Sequence, residues 1–183
     1  MWLNFNGIRI KFKTVPNHTN VADTPGNTAL LLAAFNGHID TIKWLLANGA
    51  SLEEKNKYGN TALLLAAFNG RLDTIKWLLA NGASLEKKNN GGFTALLAAA
   101  WNGQLDMVKW LVANGASLKE KTNGGNTALL LAVCNGHLDM VKWLLANGAS
   151  LEEKNNHGEK AIDIARTRGH RAIVDILSSS PQG

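Results

Sequence analysis

Apolar and polar positions along this chain follow an order that repeats. A short run rich in Ala and Leu ends at an Asn-Gly pair, an amphipathic run ends at a second Asn-Gly pair, and a polar stretch follows. The order returns every 33 residues, so that four threonines share one position in four copies: Thr28, Thr61, Thr94 and Thr127. A fixed period of roughly 20 to 50 residues is typical of a repeat array.

Each copy predicts two short helices joined by a tight turn. Thr28 is a good N-cap, and residues 29–35 are strong helix formers that end at Asn36-Gly37. Ile39–Ala47 is amphipathic and ends at Asn48-Gly49. Helices this short are not stable alone in water, so each unit must bury its apolar stripe against its neighbours.

The segment before the array predicts strands. Asn6-Gly7 separates two short apolar runs, which is a strong hairpin signal, and the second run alternates apolar with basic residues. We expect a β-hairpin and a linker, with the hairpin covering the open end of the array. The predicted segments are residues 1–22 (hairpin and linker), units 23–55, 56–88, 89–121 and 122–154, a capping unit 155–178, and a tail 179–183.

The repeated letters resemble ankyrin repeats over about residues 23–178. The letters of the first copy that carry the resemblance are Asp23, Gly26, Thr28, Leu30, Ala33, Ala34, Gly37, His38, Leu45, Leu46, Gly49 and Ala50. The resemblance implies an all-α ankyrin-repeat solenoid whose last unit is a cap with a soluble outer face. In place of the family's Pro-Leu-His this chain has Ala29-Leu30-Leu31, and Trp44 stands where the family more often has Val or Leu. We expect the four equivalent tryptophans to pack between units: Trp44, Trp77, Trp110 and Trp143.

Composition bounds the function classes. The formal charge is +5, and Arg9, Lys11 and Lys13 supply three of those charges, so charge alone does not indicate a nucleic-acid binder. Cys134 is the only cysteine, which fits a reducing compartment. No apolar run has the length of a signal peptide or a membrane span. We expect an intracellular, cytoplasmic protein, with delivery into another cell as an open alternative.

The sequence offers no catalytic or metal-binding constellation. His38 and His137 follow an Asn-Gly pair, but Arg71 and Gln104 hold the same place in the other copies, which favours a turn-stabilising role. Cys134 and His137 lack the further ligands that zinc requires. We therefore predict no enzyme, no metal and no cofactor.

The informative positions are those at which the copies differ. The resemblance implies that partners bind the concave face formed by the first helices and the loop tips. The candidate partner-binding residues there are Tyr58, Phe68, Phe93, Trp101, Phe35, Asn60, Asn126 and Cys134. Two alternatives stay open: the aromatic residues pack half-buried against the adjacent loop, or the N-terminal hairpin covers them.

The predicted function is a protein–protein interaction module, a scaffold, inhibitor or adaptor, that acts as a monomer. The alternative is binding of nucleic acid or another polyanion through the basic N-terminal arm and one lysine per unit: Lys55, Lys88, Lys121 and Lys154. Acidic residues beside those lysines argue against this alternative. The near-identity of the first two copies fits either a natural or an engineered array.

Overall fold

The computed structural model describes the backbone of residues 2–5 and 8–11, and residues 26–179 in full. Strands β1 (Trp2–Phe5) and β2 (Ile8–Lys11) pair antiparallel, with Trp2 opposite Lys11 and Phe5 opposite Ile8. The predicted linker and the question of what the hairpin covers lie outside the described residues.

Helices form five consecutive pairs in residues 26–179. Their bounds are α1 (Ala29–Asn36), α2 (Ile39–Ala47), α3 (Ala62–Phe68), α4 (Leu72–Ala80), α5 (Ala95–Trp101), α6 (Leu105–Ala113), α7 (Ala128–Cys134), α8 (Leu138–Ala146), α9 (Ala161–Arg168) and α10 (Arg171–Ser179). The predicted bounds of the first pair are confirmed to within one residue. Ser179, which the sequence assigns to the tail, is the last residue of α10.

Local side chains determine where the helices begin and end. Thr28 Oγ1 accepts a hydrogen bond from Leu31 N at 3.4 Å, which satisfies one of the free N–H groups at the start of α1. Thr61, Thr94 and Thr127 cap the later first helices in the same way. Gly37 ends α1 in the left-handed conformation, with φ at 80°.

The first helices form the centre of the array. Those of the second, third and fourth units are almost wholly buried; in α3, every residue from Ala62 to Ala67 is buried. Small alanine side chains allow close helix approach, and each first helix packs directly on the first helix of the next unit, whereas successive second helices contact each other much less. The array therefore curves, and its concave side carries the first helices and the loop tips.

Three of the four tryptophans predicted to pack between units are packed in the array, and one of them, Trp77, is seen beside residues of the preceding unit. Trp77, Trp110 and Trp143 are half-buried and pack against the core. Trp77 lines a cleft with Leu46 and Leu52 of the preceding unit. Trp44 differs, because 59% of its side chain is exposed.

Candidate functional site

An asparagine organises each loop tip. In the second unit, Asn56 Oδ1 accepts hydrogen bonds from Tyr58 N and Asn60 N, both at 3.0 Å. Asn56 Nδ2 donates to Asn27 Oδ1 in the preceding unit at 2.8 Å. One side chain therefore shapes its own loop and ties that loop to the neighbouring one.

The third unit repeats this arrangement. Asn89 Oδ1 accepts from Gly91 N at 2.9 Å and from Phe93 N at 3.0 Å, and Asn89 Nδ2 donates to Asn60 Oδ1 at 2.8 Å. Asn60, a predicted partner-binding residue, thus already uses its side-chain oxygen inside the array.

The fourth unit departs from the arrangement at both partner positions. Thr122 stands in the place of Asn89, and Phe93 stands in the place of Asn60. Thr122 Oγ1 still accepts from Asn126 N at 3.2 Å, but the side-chain tie between the two units is absent among the described contacts. The ring of Phe93 lies instead 5.7 Å from that of Phe68 and 6.3 Å from that of Trp101, measured between centroids. We call Phe68, Phe93 and Trp101 the aromatic cluster.

The loop tips also stack on one another through their backbones. Asn123 N donates to Gly91 O at 3.0 Å, and Asn123 Nδ2 donates to Asn90 O at 2.8 Å. The approach requires glycine at position 92, where φ is +78° and an added Cβ would lie 2.5 Å from Asn123 N. The candidate side chains at the loop tips are therefore held on a closely packed support.

The residue at the turn between the two helices of a unit anchors the concave face by a hydrogen bond to the backbone of the preceding unit. His137 Nε2 donates to Trp101 O at 3.0 Å, and three equivalent side chains bond to the same position of the preceding unit. Those pairs are Arg71 with Phe35 O, Gln104 with Phe68 O and His170 with Cys134 O, each at 3.2 Å. The sequence predicted a role at the turn, and the structure adds that the bond runs between units. A carbonyl accepts from Arg, Gln or His alike, which explains the variation at this position.

The structure brings together some of the predicted residues and separates others. Phe68 and Phe93 are half-buried against each other. For Phe68 this agrees with the alternative in which the aromatic residues pack against an adjacent loop. Trp101 is more open, with 40% of its surface exposed. Tyr58 is 53% exposed and contacts Lys57, whose Nζ lies 5.1 Å from the ring centroid. Phe35 is also exposed, and like Tyr58 it makes no ring contact with the aromatic cluster among the described residues.

A groove of about 470 Å³ continues from Trp101 toward the last unit. Its apolar walls include Leu131, Cys134 and Ile164, and its rim includes Asn126 and Arg168. Two more predicted residues, Asn126 and Cys134, therefore share a surface with Trp101. No three His, Cys, Asp or Glu side chains within the described ranges are grouped as metal ligands would be.

The family of the chain follows from comparison with protein-family models. The model described as ankyrin repeats (3 copies) matches residues 9–89, 30–122 and 96–182. The chain belongs to the ankyrin repeat family. Ankyrin repeats are generally protein–protein interaction modules and typically act without enzymatic activity. No individual curated protein matches this chain.

The lysines of the alternative prediction are partly engaged within the ankyrin array. Lys121 Nζ lies 2.5 Å from a carboxylate oxygen of Glu153. Lys88 Nζ donates to Lys121 O at 3.4 Å. In addition, Lys87 forms an ion pair with Glu53 at 2.7 Å across the first and second units, and this contact lowers the pKa of Glu53. Acidic side chains thus neutralise part of the positive charge that these lysines carry.

The helices of the described segments are too short to cross a bilayer, since the longest contain nine residues.

Two features of this site were not predicted from the sequence. One is Thr122, whose change from asparagine accompanies the change at Phe93. The other is the bond from position 137 to the carbonyl of Trp101. The available signal for the first was that both loop positions depart from asparagine at the same junction between units.

Proposed function

We propose that this ankyrin array holds a partner protein or peptide against its concave face, with the aromatic cluster at the centre of the contact. The observation that carries the proposal is the paired change at Phe93 and Thr122. The junction there lacks a polar tie found at two other junctions and presents an aromatic ring instead. Stacking alone does not require this change, because the copies on either side of Phe93 keep Asn60 and Asn126.

The chemistry of the surface fits an interface centre. Aromatic residues near the centre of an interface carry much of its binding energy, and Trp and Tyr are enriched among such residues. Trp101 and Tyr58 keep large exposed areas while their backbones are fixed by neighbouring units. A backbone held in this way does not have to be ordered when a partner binds, which lowers the entropic cost of binding.

The charge distribution favours a peptide or protein over a polyanion. The aromatic cluster and its neighbours Asn126 and Cys134 carry no charge, and the two charged residues that line the groove with them, Glu159 and Arg168, have opposite signs. Binding centred on them should depend weakly on salt, whereas binding of a nucleic acid through several lysines falls steeply as salt rises. The protein would act by binding alone, as a scaffold, inhibitor or adaptor.

The test compares three forms of the protein as affinity baits in cell extract. They are the wild type, a Phe68→Ala/Trp101→Ala double variant and a Trp44→Ala control. The control removes an exposed tryptophan from a second helix, on the opposite side of the unit. Proteins bound by the wild type and by the control, but lost from the double variant, are identified by quantitative mass spectrometry. Each is then purified and titrated at two salt concentrations.

We expect at least one such protein, with an affinity that changes little with salt. Circular dichroism must show that the double variant keeps its helices. If all three baits retained the same proteins in equal amounts, the proposed site would be wrong. A steep loss of affinity with salt would favour the polyanion alternative.

A further inference from the structure

Ten Asn-Gly pairs lie in residues 26–179, and nine of their glycines share one feature. In each of the nine, the glycine backbone N–H donates a hydrogen bond. Eight of these bonds end on a backbone carbonyl of the preceding helix; the donors are Gly37, Gly49, Gly70, Gly82, Gly103, Gly115, Gly136 and Gly148. The ninth is Gly91, which donates to Asn89 Oδ1 at 2.9 Å.

The tenth pair, Asn123-Gly124, differs. The N–H of Gly124 has no acceptor among the described residues, and both residues of the pair are exposed. The cause is Thr122, which stands where the third unit has Asn89. Its shorter side chain accepts from Asn126 N but makes no hydrogen bond with Gly124.

A free glycine N–H after asparagine permits a specific covalent reaction. The backbone nitrogen loses its proton to solvent base and attacks the side-chain Cγ of the asparagine. A new C–N bond forms, the bond from Cγ to Nδ2 breaks, and ammonia leaves. Water then opens the resulting five-membered imide at either carbonyl, to give aspartate or isoaspartate. The net change is the uptake of one water and the loss of one ammonia. A hydrogen bond that holds the attacking N–H must first break, and this slows the reaction.

We propose that Asn123 is the preferred site of spontaneous deamidation within residues 26–179. The product would carry a negative charge beside the loop of Phe93. It would also lose the donor that now bonds Asn90 O at 2.8 Å. Isoaspartate would in addition lengthen the backbone by one carbon at a tip that stacks closely on the third unit. The modification therefore changes both the charge and the shape of the concave face.

The chain contains its own control for this proposal. Asn90 and Asn123 both begin the tripeptide Asn-Gly-Gly, both are exposed, and each side chain donates to the preceding loop. They differ in whether the following N–H is held. The purified protein is incubated in mildly alkaline buffer, and peptide mapping by tandem mass spectrometry follows the amide-to-acid mass change at every asparagine. A parallel incubation is made in denaturant.

In the folded protein we expect Asn123 to react about fivefold faster than Asn90, the factor that one net hydrogen bond contributes. In denaturant the two rates should become nearly equal. Thr122→Asn should slow the reaction at Asn123, and Asn89→Thr should accelerate it at Asn90. Equal folded-state rates at the two sites would overturn the proposal, as would a faster reaction at a helix end. A rate difference between Asn123 and Asn90 that stayed equally large in denaturant would also overturn the proposal, because local sequence alone would then explain it.

Discussion

Phe93 and Thr122 occupy the two positions that hold the hydrogen-bonded pair Asn60 and Asn89 one unit earlier, where the amide groups lie 2.8 Å apart. Neither residue of the later pair can reproduce that bond. The ring of Phe93 instead makes an edge-on contact with Trp101. The two changes are therefore complementary, and they distinguish this junction from the one before it.

This relationship predicts an energetic coupling between positions 93 and 122. Thr122→Asn alone places an amide donor opposite a ring, and Phe93→Asn alone leaves an amide without its partner. Together they can form the tie that Asn60 and Asn89 make. We expect the double variant to be more stable than the sum of the single effects by about 1 kcal/mol, the net value of one hydrogen bond. Urea unfolding of all four proteins measures this coupling, and additive effects would show that the tie does not form.

The close stacking of loop tips predicts different costs for two glycine substitutions. Gly92→Ala and Gly115→Ala both place a side chain at positive φ. Only at position 92 would the new Cβ collide with backbone, whereas no atom lies within 4 Å at position 115. We expect Gly92→Ala to reduce the free energy of unfolding by at least about 1 kcal/mol more than Gly115→Ala. Chemical denaturation compares them, and equal losses would mean that backbone conformation alone sets the cost.

The bond from His137 to Trp101 O predicts that glutamine can replace the histidine. His137→Ala removes the donor, and we expect a loss of about 1 kcal/mol in unfolding free energy. His137→Gln should retain most of it, because Gln104 makes the equivalent bond to Phe68 O at 3.2 Å. Thermal and urea unfolding provide the comparison. A glutamine variant as unstable as the alanine variant would contradict this account of the position.

The separation of Tyr58 from the aromatic cluster predicts how binding losses combine. Trp101→Ala and Tyr58→Ala should each weaken partner binding by more than about 1 kcal/mol in binding free energy, without unfolding the array. The two losses should add, because no ring contact joins these residues. Losses at Phe93 and Trp101 should not add, since their rings touch. Isothermal titration with a captured partner decides this, and normal binding by either folded single variant would count against the proposed site.

The ion pair between Glu53 and Lys87 predicts a pH-dependent contribution to stability. Lys87 holds the pKa of Glu53 below its ordinary value. A lowered folded-state pKa stabilises the fold above the unfolded pKa of about 4.3, and this contribution disappears as the pH falls through the lowered value. Lys87→Met should therefore be less stable than wild type at neutral pH and should approach it in acid. Lys119→Met, which removes a lysine without an ion pair in the described segments, provides the control. A difference that persisted unchanged into acid would exclude this carboxylate as its source.

The sequence predicted the fold well because its signals are local. Thr28 and Gly37 act within one helical turn of the residues they cap, so the helix bounds followed from short motifs. The 33-residue period then required stacking. Trp44 shows the limit of this reasoning. Trp44 and Trp77 lie in nearly identical sequence motifs, yet Trp44 is exposed and Trp77 is half-buried, because burial depends on contacts outside the motif.

The candidate site could be predicted only as a set of variable positions. That Phe93 meets Trp101 while Tyr58 stands apart depends on ring directions, which spacing does not determine. The pairing of Phe93 with Thr122 joins residues 29 positions apart, the separation seen for Asn60 and Asn89. A period of 33 gives no reason to compare positions separated by 29. The division of the chain into units and the role of the eight site residues remain predictions.

Because each first helix packs directly on the next, the concave face has a nearly constant pitch. Packed helices lie about 8–10 Å apart, and an extended peptide advances about 3.3 Å per residue. A partner segment lying along the array would meet a new unit about every three residues. Every third residue of that segment would then contact one of four side chains, those of Phe35, Phe68, Trp101 and Cys134. The backbone carbonyl of each of these four residues is held by a hydrogen bond from the next unit.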